Sequence, residues 1–504
     1  GSNNREAYRG SGEGFGTRRL VGVGFVAAGF RHRVSRAGDP QVHTHVLVAN
    51  MTRGADHRWS ALDAQVLYKL RRSAGVVYDA AVRAEMTARL GVRWTPGHDG
   101  DAGGSEIAGI PARVVEVFSK RRVEIEAELA ATGREGPVAA ADATLATRDR
   151  HRPVDTDGID IRWRTEAIEA GFGPDQLDTL LRGTAPSVED DSTIEVLVGD
   201  RGSGTNAVRR IALDELPAVV AERLAEIDSV GDETQVMAAI ATLAPGGMSV
   251  ALVEALTHRV LSDVEFVSVP AGPDGVHRWT TRTILDAEER LHEAFTSRSP
   301  GGPVVDEAEI AAVVGRTGSM LGPDQVEAVR RLCSDDGQLQ VVVGRAGTGK
   351  TFAMAAVAEV YHRGGCPVVG VAPSALAARS LSAGAGIEAF TLPRFHRHAA
   401  PLLTDRHVVI VDEAAMVGTL ELDRLVTEAR GAGAKIVLVG DHHQLPEIGA
   451  GGGFAAAVNA IGDRGCELTV NRRQRADWER AALDQLSHGD VESAYRAYRD
   501  HDRV

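Results

Sequence analysis

The chain has 504 residues, of which 43% are apolar and 25% charged, so a peptide or mini-protein is excluded and about three domains are expected. Its formal net charge of −14 by itself argues against a nucleic-acid-binding protein. However, residues 1–93 carry 15 Arg and Lys against 7 Asp and Glu, so a basic segment precedes an acidic remainder.

In the first half of the chain, the sequence pattern predicts a hairpin followed mainly by helices. Two strands, 21–33 and 42–50, flank the turn-forming residues 37–40. Loops are expected at 96–104, which is rich in glycine, and at 186–201, which is acidic and reads as a linker. Apolar residues at helical spacing predict helices over 61–90, 112–131, 165–182, 214–227, 232–243 and 249–262. A short strand is predicted at 266–269.

From residue 339 onward, strands alternate with helices. Short apolar runs bounded by glycine or polar residues predict buried strands at 339–343, 367–372, 408–411 and 435–439. This alternation predicts a parallel sheet with right-handed crossovers and a ligand site at the carboxyl ends of its strands. The fold class is therefore a multidomain mixture of α/β and α+β, with an antiparallel sheet domain, a helical accessory region and a parallel α/β domain.

The three cysteines, Cys333, Cys366 and Cys466, lie far apart and predict neither disulfides nor a zinc site. No apolar run reaches the roughly 20 residues that cross a bilayer, so we expect no membrane segment and a cytoplasmic location. The chain opens without Met and stops just after a helical run, so we expect an internal piece of a longer protein.

A phosphate-binding motif follows the strand at 339–343. The motif GxxxxGKT stands between a predicted strand and a predicted helix, and Lys350 is one of only four lysines against 52 arginines. Backbone N–H groups of the glycine-rich loop would surround phosphates, Lys350 would contact the β and γ phosphates, and Thr351 would bind Mg²⁺. The alternative is a glycine-rich turn without a ligand. The predicted nucleotide-binding residues are Gly344, Arg345, Ala346, Gly347, Thr348, Gly349, Lys350 and Thr351.

Polar residues also follow the last two of the predicted buried strands, at 408–411 and 435–439. Asp412 is predicted to hold the metal and Glu413 to activate water, the alternative being a solvated strand end. In the later segment GDHHQLP, Gln444 could contact either the γ-phosphate or the attacking water. The neighbouring His442 and His443 lack further nearby ligands, and we expect them to be surface residues.

Seven segments in this order resemble superfamily 1 DNA helicases of the RecD-like branch: LGPDQ ending at Gln325, GRAGTGKT, VAPS ending at Ser374, TLPRF beginning at Thr391, VDEAAM, GDHHQLP and NRRQ ending at Gln474. The resemblance implies a RecA-like motor lobe that uses ATP and unwinds DNA in the 5′ to 3′ direction. It also implies that Gln325 recognises adenine, that Gln444 couples the ATP state to DNA, and that Arg473 senses the γ-phosphate from across the cleft.

The same resemblance implies contacts with the backbone of single-stranded DNA at Pro373, Ser374 and Thr391. The alternative is that these three are ordinary loop and helix-cap residues. Without a structure, the residues themselves leave both interpretations open.

A second set of chemistry-bearing residues lies in the basic segment. His43 and His45 are two residues apart on a predicted strand and so share one face, and His32 on the preceding strand could bring a third imidazole beside them. Three neutral imidazoles leave open positions at a metal that polarises a substrate oxygen. The alternative is a half-buried strand whose histidines face solvent. We also predict that Arg36 contacts DNA.

Residues 30–50 and 58–68 resemble the relaxases of the TrwC/TraI (MobF) family, which are HUH-type endonucleases. The resemblance continues weakly at 146–148 and 163–171. It implies that His32, His43 and His45 hold a divalent ion, such as Mg²⁺ or Mn²⁺, against the scissile phosphate, while a tyrosine attacks that phosphate and nicks the transfer origin. In that family a relaxase is fused to a RecD-like helicase.

The sequence departs from the family at the nucleophile. The tyrosines of the family lie close to the start of the protein, and the position of Tyr8 does not match theirs. Tyr68 and Tyr78 lie in a predicted helix, where we expect packing roles. We therefore expect this piece to lack its nucleophile, and also to lack the second motor lobe.

Four segments follow from these observations: a relaxase domain at 1–180, a linker and accessory region at 181–315, a RecA-like lobe at 316–475 and the start of a further helicase segment at 476–504. The leading hypothesis is part of a conjugative relaxase-helicase that acts on single- and double-stranded DNA together with other conjugation proteins. The alternatives are a RecD-like repair helicase with a non-catalytic DNA-binding module, and a degenerate gene remnant.

Overall fold

The computed structural model describes residues 6–10, 17–35, 37–96, 105–133, 137–147, 157–181, 192–199, 206–271, 275–317, 320–442, 444, 450–474, 476–487 and 489–503. These residues belong to two compact units. Unit 1 draws on residues 1–197, 208–210 and 241–254, and unit 2 on residues 198–207, 211–240 and 255–504.

The strands, in chain order, are β1 (Glu6–Gly10), β2 (Thr17–Val21), β3 (Ala27–Val34), β4 (Pro40–Val48), β5 (Thr52–Arg53), β6 (Trp59–Leu62), β7 (Trp94–Pro96), β8 (Ser105–Ile107), β9 (Thr193–Gly199), β10 (Asn206–Ala212), β11 (Gly231–Asp232), β12 (Phe266–Val269), β13 (Arg278–Thr281), β14 (Leu339–Gly344), β15 (Val368–Ala372), β16 (Glu388–Thr391), β17 (Val408–Val411), β18 (Lys435–Gly440) and β19 (Cys466–Leu468).

The α-helices, in chain order, are α1 (Ala64–Leu90), α2 (Ala112–Val117), α3 (Lys120–Thr132), α4 (Pro137–Ala146), α5 (Ile159–Glu169), α6 (Pro174–Leu181), α7 (Leu216–Ala225), α8 (Glu233–Leu243), α9 (Val250–Leu261), α10 (Arg282–Thr296), α11 (Glu307–Thr317), α12 (Pro323–Ser334), α13 (Lys350–Arg363), α14 (Ala375–Ala385), α15 (Leu392–His398), α16 (Thr419–Gly431), α17 (Gly453–Ile461), α18 (Asp477–Ser487) and α19 (Val491–Asp500). Short 3₁₀ turns occur at Ala400–Leu402, Ala414–Met416 and Gly462–Arg464.

Unit 1 contains small antiparallel sheets. One has the strand order β2-β1-β6-β5, and β3 pairs with β4 in a separate hairpin, as the sequence predicts. The predicted helix at 61–90 begins only at Ala64, because residues 59–62 form β6, and the Asp63 carboxylate then accepts the N–H of Gln65 at 3.1 Å. The long helix is therefore confirmed with a shifted start. The hairpin is confirmed with a correction, because the predicted strand at 21–33 contains the end of β2 at Val21 and enters β3 only at Ala27.

Three other predictions for the first half of the chain need correction. The predicted helix at 112–131 is divided into α2 and α3 at residues 118–119, and the predicted helix at 165–182 is divided into α5 and α6 around Gly171, whose φ is 82°. The expected linker at 186–201 is wrong over Thr193–Gly199, because this stretch pairs with β10. The predicted loop at 96–104 lies, after Pro96, outside the described residues.

Unit 2 contains the predicted parallel sheet. Its six strands have the order β16-β15-β17-β18-β14-β19, and every pair in it is parallel. Strands β17 and β18 are buried along their whole length because helices cover both faces of the sheet, α11–α13 on one side and α10, α16 and α17 on the other. The four strands predicted here are confirmed, whereas β16 and β19 were not foreseen.

The predicted helices at 214–227, 232–243 and 249–262 correspond to α7, α8 and α9, and the strand at 266–269 is β12. All three cysteines are buried and unpaired, as the sequence predicts. Within the described ranges, we find no helix with the length and apolarity needed to span a bilayer.

Candidate nucleotide and metal sites

The predicted phosphate loop connects β14 to α13. Gly347 and Gly349 have φ of 84° and 78°, a left-handed conformation that glycine adopts without steric cost. Lys350 is the first residue of α13, and its ammonium donates to the carbonyl of Gly344 at 2.8 Å. Strand, tight turn and helix N-terminus thus combine in the arrangement that binds phosphate.

Gln325 lies beneath this loop and is completely buried. Its amide N–H group donates to the carbonyls of Thr348 at 3.0 Å and Gly349 at 3.2 Å, while its amide oxygen accepts the N–H of Gly322 at 3.0 Å. The side chain therefore supports the phosphate loop in this structure. Adenine recognition by Gln325 stays a prediction.

An ion pair that the sequence analysis missed holds the NRRQ segment against the phosphate loop. The guanidinium of Arg472 contacts the carboxylate of Asp324 and donates to the carbonyl of Thr348 at 3.0 Å. Burial alone would raise the pKa of Asp324, but hydrogen bonds from Arg472 and from the N–H of Val470 outweigh it and lower that pKa. The signal was present in the sequence, since both residues lie inside quoted motifs.

Arg473 lies directly beside the phosphate loop. Its backbone N–H donates to the carbonyl of Gly347 at 3.2 Å, and its side chain is exposed. Contact of the guanidinium with a γ-phosphate, from across a cleft, stays a prediction.

The predicted acidic pair follows β17. Asp412 is 8% exposed, and burial, together with the adjacent Glu413 carboxylate, raises its pKa in spite of the nearby Lys350 ammonium. Glu413 has a φ of 52°, a left-handed conformation that costs a non-glycine residue about 1 kcal/mol. Such strain is typical of functional sites.

Gln444 is exposed, and its amide group donates to the carboxylate of Asp441 at 3.1 Å, just after β18. His442 is exposed, as predicted, while His443 lies outside the described residues. Because the strands of the sheet are parallel, Gln444, Asp412 and the phosphate loop all follow carboxyl ends at one edge of the sheet.

The predicted DNA contacts lie at this same edge, where Ala372 of β15 pairs with Thr391 of β16. The hydroxyl of Ser374 accepts the N–H of Ala377 at 3.1 Å and caps α14, which is the ordinary structural role left open above. Thr391 precedes α15 without capping it through its hydroxyl, and Pro373 is half-buried. Contact of these residues with DNA stays a prediction.

The three histidines of unit 1 lie together on one face of the β3–β4 hairpin. His32 is directly opposite His43, and Phe30 is opposite His45, so all three imidazoles point the same way. Their ring centroids are 4.7–5.3 Å apart, and one nitrogen from each ring lies within 4.8 Å of the others. The cluster is largely exposed.

One hydrogen bond identifies the free nitrogen of His43. Its Nδ1 lies 3.0 Å from the carbonyl oxygen of Gln41, and because a carbonyl only accepts, Nδ1 must carry the proton. In the neutral ring Nε2 then offers its lone pair to the cluster, where it lies 3.3 Å from Nε2 of His45. A backbone carbonyl bound to the outer nitrogen is the usual support of a metal-binding histidine. The donor set therefore fits a divalent transition metal or a similar ion.

Three other residues named from the sequence need comment. Arg36 lies outside the described residues. Tyr68 and Tyr78 of α1 are 75% and 61% exposed, so the expected packing roles are wrong. Their spacing along the helix gave no indication of exposure, because the face that a helix buries depends on what packs against it.

Together, the fold and the two sites define a P-loop domain of RecA-like architecture and, in the same chain, an antiparallel domain with a three-histidine cluster. Comparison with known proteins finds a match for each part. Residues 7–170 match the TrwC relaxase family, and residues 320–504 match an AAA domain. By these matches the first part of the chain is similar to a TrwC relaxase and the last part to an AAA domain.

Individual relatives agree with this assignment. The conjugal transfer protein TraA of Rhizobium radiobacter is 32% identical over 332 residues, which is 64% of this chain and 29% of that protein. The ATP-dependent RecD2 DNA helicase of Deinococcus radiodurans is 34% identical over 161 residues, 30% of this chain and 21% of the helicase. The chain thus spans less than a third of the length of these two relatives.

Among solved structures, a conjugative relaxase TrwC in complex with OriT DNA is 30% identical and matches with a TM-score of 0.31. The match covers 34% of this chain and 60% of that one.

Proposed function

We propose that this chain is part of a protein of conjugative DNA processing, in which the histidine cluster serves the nicking of one strand of transfer-origin DNA and the P-loop domain serves 5′ to 3′ unwinding. The chain itself would bind ATP, Mg²⁺ and DNA, with little nicking or unwinding. The observation that carries the proposal is the presence, in one chain, of three convergent imidazoles and a P-loop sheet with its carboxylates at the same edge. We place this activity in the cytoplasm, together with other conjugation proteins.

In the nicking half, His32, His43 and His45 would hold a divalent ion such as Mg²⁺ or Mn²⁺. When bound, such an ion polarises a phosphate oxygen and stabilises the charge that develops at a scissile phosphate. The exposure of the cluster leaves room for a DNA strand to approach it. The sequence specificity of that strand would come from base contacts elsewhere.

In the motor half, the amides of the phosphate loop and Lys350 would bind the phosphates of ATP, and Thr351 and Asp412 would hold Mg²⁺. Glu413 is positioned at the strand end to activate water, and Gln444 would relay the nucleotide state to DNA. Gln325 would recognise adenine after releasing its present bonds, and Arg473 would sense the γ-phosphate from across the cleft. These roles rest on placement at one edge of the sheet.

DNA binding would involve both units. Pro373, Ser374 and Thr391 would contact the backbone of single-stranded DNA, and Arg36 would contribute to a basic surface around the histidines. Because phosphate contacts release counterions, we expect affinity for an unrelated single-stranded oligonucleotide to fall steeply with salt. Electrophoretic or anisotropy titrations at two salt concentrations measure this dependence.

Metal binding tests the nicking half. We expect the chain to bind Mn²⁺ and His43→Ala to weaken that binding at least tenfold, measured by isothermal titration calorimetry. The exposed His258 of α9 provides the control His258→Ala, which should leave the affinity unchanged. Equal Mn²⁺ affinity in the parent protein and His43→Ala would contradict a metal centre at this cluster.

ATP binding tests the motor half separately. We expect Lys350→Ala to lose binding of a fluorescent ATP analogue, because the ammonium is then missing from the phosphates. Lys69→Ala, on the exposed surface of α1, is the matched control. A parent protein without affinity for ATP would favour a degenerate remnant and refute the motor half.

A further inference from the structure

Two helices of unit 1 hold the turn of the histidine hairpin from outside it. The indole N–H of Trp163 in α5 donates to the carbonyl of Gly38 at 2.9 Å. The ammonium of Lys120 in α3 lies 3.5 Å from the Asp39 carboxylate and 2.9 Å from Glu166 of α5. We call these five residues, Gly38, Asp39, Lys120, Trp163 and Glu166, the turn clamp.

The hairpin itself has little other support near the histidines. Almost every residue of β3 and β4 is exposed, and within the described part of the chain these two strands pair only with each other. Two-stranded hairpins are marginally stable in water, and a slip of one residue turns each side chain to the opposite face. The pairing already shifts between His32 and Val34, so the register of His32 depends on how the turn is held.

The clamp contains a buried charge that makes its geometry specific. Asp39 is only 3% exposed, and its Oδ1 accepts no hydrogen bond within the described structure, so the Lys120 ammonium provides the compensating charge. The backbone N–H of Asp39 donates to the hydroxyl of Ser35 at 3.0 Å, and this bond closes the turn on the β3 side. A buried carboxylate that loses its counter-charge must move toward water or take up a proton.

The turn is also close in sequence to the metal-binding end of the hairpin. Gln41, whose carbonyl fixes the proton on Nδ1 of His43, is only two residues beyond Asp39. Because only Pro40 separates the turn from Gln41, a shift of the turn moves that carbonyl before it moves the histidines of β4. The clamp can change the direction of the His43 lone pair without touching an imidazole.

We propose that Lys120 and Trp163 are positioning residues of the three-histidine site, which act through the turn at Gly38–Asp39. This inference rests on the proposed metal-binding function of the cluster. It extends that function by assigning a role to residues that lie 75 or more positions beyond the histidines in sequence. Neither side chain touches the imidazoles or a bound ion.

The experiment compares two tryptophans with the same local chemistry. Trp163 and Trp94 are both half-buried in unit 1, and the indole of Trp94 donates to the hydroxyl of Thr87 at 2.9 Å. Phenylalanine removes the donor at either position and keeps most of the ring. We expect Trp163→Phe to weaken Mn²⁺ binding about tenfold, in the range usual for supporting residues of metal sites, and Trp94→Phe to leave it unchanged.

The lysine is tested in the same way. Lys120→Met should weaken Mn²⁺ binding, Lys120→Arg should restore most of it because a guanidinium can still pair with both carboxylates, and Lys69→Met should have no effect. Thermal unfolding is recorded for every variant. If the Mn²⁺ affinity of the variants fell only in proportion to their thermal stability, and Trp94→Phe lost as much affinity as Trp163→Phe, the proposal would be overturned.

Hydrogen exchange of the hairpin amides separates this inference from the proposed function. In Trp163→Phe the amides of β3 and β4 should exchange faster than in the parent, with or without metal. If the parent bound no Mn²⁺, the metal function would be wrong, and the exchange rates would still decide the role of the clamp. If Trp163→Phe changed neither the hydrogen exchange of the hairpin nor the Mn²⁺ affinity, the positioning role of Trp163 would be refuted.

Discussion

Lys435 offers the most quantitative test of how unit 2 is held together. This lysine begins β18 and is completely buried. Its ammonium donates to the carbonyls of Leu332 and Asp335 at the end of α12 and to the hydroxyl of Tyr361. It therefore ties the sheet to the helix whose other end carries Gln325, beneath the phosphate loop.

The magnitude follows from the titration of the lysine. Burial lowers the pKa of Lys435 from 10.5 to about 8, although nearby acidic groups oppose the change. Between these values the unfolded chain binds a proton that the folded protein has released, so stability rises with pH. At about 1.36 kcal/mol per tenfold change in proton concentration, the full gain is about 3.4 kcal/mol, of which about 2 to 3 kcal/mol falls between pH 7.5 and 10.

The perturbation is Lys435→Met, which keeps the length of the side chain and removes the titration. We expect the stability of the parent relative to this variant to increase by about 2 to 3 kcal/mol from pH 7.5 to pH 10. Urea unfolding read at residues 435–440 by pulse labelling and mass spectrometry measures the local stability in both proteins. Lys69→Met serves as the control and should follow the parent at every pH.

The outcome that refutes this reasoning is a stability difference that does not change with pH, or one that shrinks as the pH rises. Either result would mean that the buried ammonium keeps its usual pKa or a higher one. The hydrogen bonds to the two carbonyls would then outweigh the cost of burying the charge.

Three further predictions concern unit 2, two at the phosphate loop and one at α15. Asp324→Asn should weaken the ion pair with Arg472 and lower the free energy of unfolding by about 1.5 to 3 kcal/mol. The unfolding temperature should fall, and ATP should restore it only in part; an unchanged unfolding temperature would contradict this prediction. Gly349→Ala should reduce ATP affinity about tenfold or more, because φ is 78° and a Cβ would lie 2.6 Å from the amide nitrogen of Gln325; normal affinity for a fluorescent analogue would count against this geometry. His396→Gln should destabilise the protein most below about pH 6.5 and less above neutrality. Burial by itself lowers the pKa of His396, but hydrogen bonds to two glutamates outweigh it and raise the pKa overall. The stabilisation by the charged imidazole is therefore lost as the pH rises through the pKa of His396 in the folded protein. Equal destabilisation by His396→Gln at pH 6 and pH 8.5 would refute this explanation.

Much of the secondary structure was predictable because strong local patterns coincide with strong burial. The strands at 339–343, 408–411 and 435–439 are mainly apolar, and each is in the sheet. The errors fall where tertiary pairing overrides local preference. Residues 61–62 were predicted as the start of a helix, but they pair with β1. Residues 193–199 were predicted as part of a linker, but they pair with β10.

The candidate sites show the same division. Motif spacing identified the phosphate loop, Asp412 and the three histidines, since each pattern is short and its chemistry is local. Sequence could not identify Trp163 or Lys120, which reach the hairpin from helices far along the chain. The motifs contained Arg472, but only the structure showed that this residue, and not only its neighbour Arg473, contacts the loop.

The sequence by itself determined the candidate residues for the chemistry of this protein: a lysine at a helix start after a glycine-rich loop, an acidic pair at the end of an apolar strand, and histidines two residues apart. These features follow from local backbone geometry and from the alternation of side chains along a strand. Only the tertiary structure decided how they are held, because ion pairs and caps such as Asp324 with Arg472 depend on which surfaces pack together. The same applies to the hairpin, whose histidines converge on one face while their turn is fixed by two distant helices.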